Sequence, residues 1–145
     1  MHVGDLGAVQ NLIGSALSEM VEDGPFTGSK DARCEQVWRL IKKHYDLRGT
    51  PSRLGKLTKD MFWSEDGWPK LSAKAADSQQ LLFVMEDVCR EIHDDSEHDW
   101  HRIYAFREVS AMYMIFKSSD MFISHSDAEC ALGHCQRFFA LRVAL

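Results

Sequence analysis

The sequence has no apolar run approaching a membrane span. Its longest uncharged hydrophobic stretches are a few residues, against the ~20 that a transmembrane helix requires, so no membrane partner is expected. The N-terminus, MHVGDLGAVQ, has no basic region ahead of an apolar one and does not read as a secretory signal. An excess of positive charge is missing too. The net charge of -5 at pH 7 argues against a dedicated polyanion binder, which draws on a basic face. Paired zinc-binding spacing is absent. So are a glycine-rich phosphate loop, a Gly-x-Ser-x-Gly turn and a Cys-His pair in a supporting context. No catalytic residue is therefore assigned and no cofactor is expected. The chain also holds no internal repeat and no low-complexity segment.

What is present is ordinary for a globular chain: 45% hydrophobic and 27% charged residues. At 145 residues the length predicts a single domain, 1–145. A chain of this size buries roughly 70% of its unfolded surface and needs neither disulfide nor metal to fold. Cys34, Cys89, Cys130 and Cys135 fall within helical patterns, which suggests buried, reduced thiols and an intracellular setting, cytoplasmic or nuclear. The apolar run ending at Leu145 has no terminating glycine or proline, so the chain is expected to be part of a longer polypeptide or a shortened copy.

The stretch WHRIYAFREVSAMYMIF, Trp100 to Phe116, organises the rest. Ile103, Phe106, Val109, Tyr113 and Phe116 form one helical stripe, widened by Ala105, Met112 and Ile115. Arg102, Arg107 and Glu108 fall toward the other side. A helix this apolar is expected to be packed on more than one flank, as the central helix of a bundle.

Ahead of it, a first helix is predicted over Asp5–Asp23. Its stripe is Leu6, Val9, Ile13, Leu17 and Met20, with Asp5 as cap and Gly24-Pro25 as stop. Gly14 weakens this helix by about 1 kcal/mol relative to alanine, making it the least firmly attached. A second helix, Lys30–Tyr45, buries Cys34, Val37, Trp38, Ile41 and Tyr45 behind a Ser29 cap. A short helix near Ser52–Met61 turns Leu54, Leu57 and Met61 inward. The loop SEDGWPK follows, with Trp63 and Trp68 pinning it to the core. From Ser72 to His93, Ala75, Ser78, Leu82, Met85, Cys89 and Ile92 repeat at heptad-like spacing, broadened by Leu81 and Val88. A short connection makes this helix and the central one an antiparallel pair. Ser96 with Asp99, and Ser124 with Asp127, have capping-box spacing, with Ile123 as a staple residue. The last helix is expected to bury Ala128, Leu132, Cys135, Phe139 and Leu141 or Val143. The fold class is all-α: an irregular up-down bundle of about five main helices plus one short one.

Three groups of residues could carry chemistry. EIHDDSEHDWHR, Glu91 to Arg102, offers His93, Asp94, His98 and His101 as donors for a divalent metal, with Glu97 and His101 one turn apart. Acidic residues also gather at helix N-termini because the macrodipole favours them there. The pair His93-Asp94 is similar to the His-Asp signature of metal-dependent phosphohydrolases. Those sites also use a histidine upstream and an aspartate downstream; His44 and Asp120 would fill these places, without a matching local motif.

The second group is basic: Arg39, Lys42, Lys43, Arg48, Arg53, Lys56 and Lys59 face only Asp46 over the same span, with Lys30 and Arg33 nearby. These could form a phosphate-binding face for nucleic acid. Glu86 to Asp99 is correspondingly acidic, with seven carboxylates against Arg90, and the two segments could instead attract each other. The third group is His125, Cys130, His134 and Cys135. Cys130 and His134 share a helix face, but Cys135 points about 100° away from His134.

Three segments together resemble a helical region in large, multicopy open reading frames of protist genomes, frames that look derived from mobile elements. They are QVWRLIKKHYDLRGTPSRLGKLTKDMF, WPKLSAKAADSQQLLFVMEDVC and HRIYAFREVSAMYMIFKSSDMFISHSDAECALGHCQRFFAL. The helical region downstream of the catalytic domain in CACTA-type transposases is also similar. The resemblance rests on apolar spacing, the Lys70–Lys74 entry and the aromatic central helix. A transposase would imply an acidic triad on a ribonuclease-H-like sheet, and no such sheet pattern is present, so no functional residue is carried over. The expectation is a non-enzymatic interaction or structural domain with a protein partner or self-association. A nucleic-acid-binding accessory domain using 39–59 is the rival reading, and a metal-dependent hydrolase at 91–101 the third.

Overall fold

The computed structural model describes residues 7–63, 67–119 and 122–144. Among them are five α-helices and one 3₁₀ turn, with no strand. The helices are α1 (Ala8–Glu22), α2 (Lys30–Arg48), α3 (Ala75–Ile92), α4 (Glu97–Ser118) and α5 (His125–Ala144), with the 3₁₀ turn at Lys59–Met61. They fall into two compact units, one ending at Ile92 and the next beginning at His93.

In the first unit α1 packs against both α2 and α3. Val9, Ile13, Leu17 and Met20 are buried as their spacing predicts, and so are Gln10, Leu12, Ala16, Ser18 and Val21. The expected cap Asp5 lies outside the described residues, and Gly7 precedes the helix without a side-chain cap. Far from being loosely attached, α1 is the most enclosed helix of the chain. Gly14 is the reason. A methyl group there would stand 2.5 Å from Lys70 Cα and 2.7 Å from Leu71 N, so its absence lets the 70–73 strip lie directly on the helix. That strip is bonded in place: Leu71 N–H donates to Gln10 O at 2.9 Å, and Gln10 Nε2 donates to Ala73 O at 2.9 Å. The small helix-propensity loss at Gly14 is outweighed by this close approach.

Ser29 caps α2, its hydroxyl accepting from Ala32 N, and the predicted face of Cys34, Val37, Trp38, Ile41 and Tyr45 is buried. The helix runs one turn further than expected, to Arg48, and ends at Gly49 in the left-handed conformation at φ 60°. Of the helix predicted over Ser52–Met61, only the 3₁₀ turn Lys59–Met61 forms. Pro51 lacks an N–H and biases the residue before it away from helix. Arg53 meanwhile donates to Thr50 O and Tyr45 O and pairs with Asp46, holding the chain in bends. Leu54 and Leu57 are still buried, but from irregular backbone, and Phe62 rather than Met61 fills the core. Trp68 does not pin the loop, being 92% exposed. Phe62 and Leu71 anchor the ends instead, and Trp63 is half-buried with Lys30 Nζ 4.0 Å from its ring. α3 buries Ser78, Leu81, Leu82, Met85, Val88 and Cys89 of the predicted face and Val84 besides, while Ala75 and Ile92 at its ends are intermediate.

In the second unit α4 packs against α5. Ser96 caps α4, accepting from Asp99 N at 3.1 Å. The reciprocal bond comes from Asp94 rather than Asp99: Ser96 N–H donates to Asp94 Oδ1 at 2.9 Å. Ile103, Ala105, Phe106, Val109 and Tyr113 are buried as expected, while Met112, Ile115 and Phe116 of the predicted stripe are intermediate. Arg102, expected toward the polar side, is buried as well and pairs with Asp99. Ser124 caps α5 through Asp127 N at 3.0 Å. The inward face of α5 is turned from the predicted one. Ala131 and Phe138 are buried, while Leu132 and Phe139 stand 57% and 55% exposed. Ala128, Cys135 and Leu141 are intermediate, and the Val143 side chain lies outside the described residues.

Candidate functional site

The basic stretch lies along α2 and the bends after it, and most of its charges meet carboxylates of the same unit. Lys43 Nζ donates to both Glu91 oxygens, at 2.6 and 2.8 Å, and His44 Nε2 lies 2.9 Å from Glu91 Oε2. One turn on, Arg48 Nε donates to Asp87 Oδ2 at 2.6 Å. The partners descend in number on α3 as the cations ascend on α2, so the two helices run antiparallel. Elsewhere Arg39 pairs with Glu35 at 3.2 Å, Lys59 with Asp31 at 3.1 Å, and Arg53 with Asp46. Lys42 Nζ sits 5.7 Å from the Trp38 ring centre, and Lys56 is exposed. Lys30 pairs with Glu22 at 2.5 Å, and Arg33 donates to Val21 O and Glu22 O, closing the C-terminal end of α1.

Lys43, His44 and Arg48 thus form a clasp between α2 and α3. The acidic half of the clasp is partly built from the acidic segment seen in the sequence, through Asp87 and Glu91. Hydrogen bonding from Lys43, joined by His44, holds the Glu91 carboxyl below its ordinary range. Two groups at the core edge show the opposite direction. Burial raises the Cys34 thiol, helped by Asp31, and pushes the Tyr45 phenol up to about 12.

The residues nominated for a metal are not drawn into one site. His93 Nε2 lies 3.1 Å from Asp95 Oδ1, and His101 Nε2 lies 3.9 Å from Glu97 Oε1. Asp94 is occupied by the α4 cap, where bonds from Ser96 hold its carboxyl below the usual range. Asp99 accepts from Asp94 N and pairs with Arg102. His98 is half-buried in the first turn of α4. Among the described residues no three His, Cys, Asp or Glu side chains form a group that could hold a metal ion. Of the other residues nominated for a phosphohydrolase-like set, His44 Nε2 lies 2.9 Å from Glu91 Oε2, and Asp120 lies outside the described residues.

The thiol and imidazole group divides. His134 Nδ1 lies 2.6 Å from Glu108 Oε2, to which Arg137 Nε also donates at 2.8 Å. Burial raises the Glu108 carboxyl, but the bonds from His134 and Arg137 outweigh it and the net direction is down. This half-buried Glu108–His134–Arg137 cluster joins α4 to α5. Sequence reading placed Glu108 on a polar side with no partner, although His134 and Arg137, one turn apart, were a visible signal. Cys130 is exposed, Cys135 intermediate, and Cys34 and Cys89 are buried; none of the four is in a disulfide. Among the described residues no helix is long and apolar enough to cross a membrane.

No protein-family model matches the chain, and no curated protein or solved structure is recognisably similar to it.

Proposed function

We propose that the chain is a non-enzymatic helical domain that works by presenting a helix surface to a protein partner or to another copy of itself. One contrast carries this reading. Five of the seven basic residues of 39–59 pair with carboxylates of the same unit, while large apolar side chains stand outward in the second unit. Phe122 is 84% exposed, Met114 54%, and Leu132 and Phe139 lie on one face of α5. Scattered apolar residues are normal on any surface, but two bulky ones seven positions apart on a helix form a stripe suited to a protein contact. An accessory role in a mobile-element polypeptide fits the resemblance of the three segments quoted above and requires no catalytic residue here.

Filter binding of DNA and RNA across a salt series tests the reading. The expected result is weak binding without salt dependence. Tight binding that falls steeply with salt, and is lost on Arg39→Ala, Lys42→Ala and Lys56→Ala together, would overturn it in favour of the nucleic-acid rival.

A further inference from the structure

The inward face of α5 is interrupted at its centre. Ala131 and Phe138 are its buried side chains among the described residues. His134 follows the first by three positions and precedes the second by four, so it lies on the same face between them. Two side chains, one of them a single methyl, give a small apolar hold. The middle of the α4–α5 contact is polar instead, and it is arranged around one oxygen. Glu108 Oε2 lies 2.6 Å from His134 Nδ1 and 2.8 Å from Arg137 Nε. The two bases are themselves close, with Arg137 Nη2 2.8 Å from His134 Nδ1. From α5 these are the charged groups that face Glu108. On its own helix the adjacent Arg107 is turned to Tyr104, with its guanidinium carbon 5.3 Å from that ring centre.

An ionised Glu108 accepts from both bases, which places a proton on His134 Nδ1. The guanidinium and the imidazole stand this close because one carboxylate serves them both. In acid an imidazole is a cation. When Glu108 then takes up a proton, the attraction is lost and two cations are left 2.8 Å apart on one helix. The His134 side chain is only 20% exposed, and an uncompensated charge held from water there is relieved by opening. α5 has one helix partner in its unit, so it opens by leaving α4.

We infer that Glu108 is the keystone of a pH-operated latch: ionised, it holds α5 on α4, and its protonation releases α5 while α1, α2 and α3 stay packed. This goes beyond the surface-presenting role, since it concerns how α5 is held and not what touches it. Burial raises the Glu108 carboxyl, but the bonds from His134 and Arg137 carry it below its ordinary range. The latch is therefore fully closed above the unfolded value of about 4.3 and opens as pH falls through the lowered folded one.

Hydrogen exchange of the full chain tests this, followed by mass spectrometry over a pH series and corrected for the intrinsic pH dependence of exchange. Amides in 128–142 should lose protection by about tenfold or more below about pH 4, while those in 78–89 keep theirs. Glu108→Gln keeps the shape and removes the charge. In that variant α5 should be less protected than in wild type at neutral pH, and the step below about pH 4 should vanish. Should Glu108→Gln fail to fold, Arg137→Gln decides, because Arg137 is exposed and its loss removes one of the two cations. Its α5 should stay protected at neutral pH and show a smaller acid step than wild type. Protection in 128–142 that tracks 78–89 throughout the series overturns the inference. So does an acid step that Glu108→Gln, or in its place Arg137→Gln, leaves at full size.

Discussion

Up to Ile92 the chain encloses α1 so fully that ten of its 15 residues are buried. From His93 onward two helices pack together, and on α5 only Ala131 and Phe138 are buried among the described side chains. The difference is one of layers. Two helices and a strip of chain cover α1 on several flanks, whereas within the second unit each helix has one helix partner. Charge follows the same division. In the first unit Lys43, His44 and Arg48 close the α2–α3 contact against Glu91 and Asp87. In the second a single carboxylate, Glu108, gathers His134 and Arg137.

The sharpest way to press this comparison is to empty the first core. Leu82→Ala removes a fully buried side chain and should cost about 2–5 kcal/mol in urea unfolding. Next comes Gly14→Ala. A new methyl must push against backbone at Lys70 and Leu71, so a loss of about 1–3 kcal/mol is expected in place of the gain that helix propensity alone would predict. A stabilised Gly14→Ala protein would mean that the 70–73 strip does not lie on α1.

A smaller effect should come from Glu108→Gln, about 1–2 kcal/mol, since Glu108 is mostly buried and accepts from two partners. Its pH dependence has a definite sign. The folded-state pKa is lowered, so the carboxylate stabilises the fold above its unfolded value of about 4.3. That contribution is lost as pH falls through the lowered folded value. Stability measured from pH 7 downward should therefore show wild type and Glu108→Gln converging in acid. A gap that is constant with pH would assign the loss to packing. Glu91→Gln should follow the same course with a smaller amplitude, under about 1 kcal/mol, because its clasp is more open to water. The smallest effect is expected for Leu132→Ala. In dilute protein it should change unfolding by no more than about 0.5 kcal/mol, against the several lost at Leu82.

Much of the architecture was legible from spacing. The buried faces of α2 and α3, and the Ser29, Ser96 and Ser124 caps, stand where periodicity and cap chemistry place them. Three features were not. The stretch after Gly49 has helix-like apolar steps at Leu54 and Leu57, but the Arg53 bonds to the Tyr45 and Thr50 carbonyls hold it in bends, and such bonds leave no periodic trace. α5 was assigned its wrong inner face because two apolar lines run side by side and composition does not say which one α4 will take. The candidate site was the least legible of all. A run of lysine and arginine shows charge without its destination, and Lys43 finds Glu91 across 48 positions of sequence. The capping aspartates at the start of α4 resemble ligands for the same reason: their backbone partners are invisible until the helix is built.

Trp68, standing almost wholly in water beside a fold that shelters Trp38, has a practical consequence. Its indole already has the surroundings of an unfolded chain, so its emission should stay red-shifted and open to soluble quenchers at every stage of denaturation. Fluorescence changes on melting must then originate from Trp38, Trp63 and Trp100. Replacing Trp68 by phenylalanine would strip away a constant background and leave one optical reporter beyond His93 and two before it.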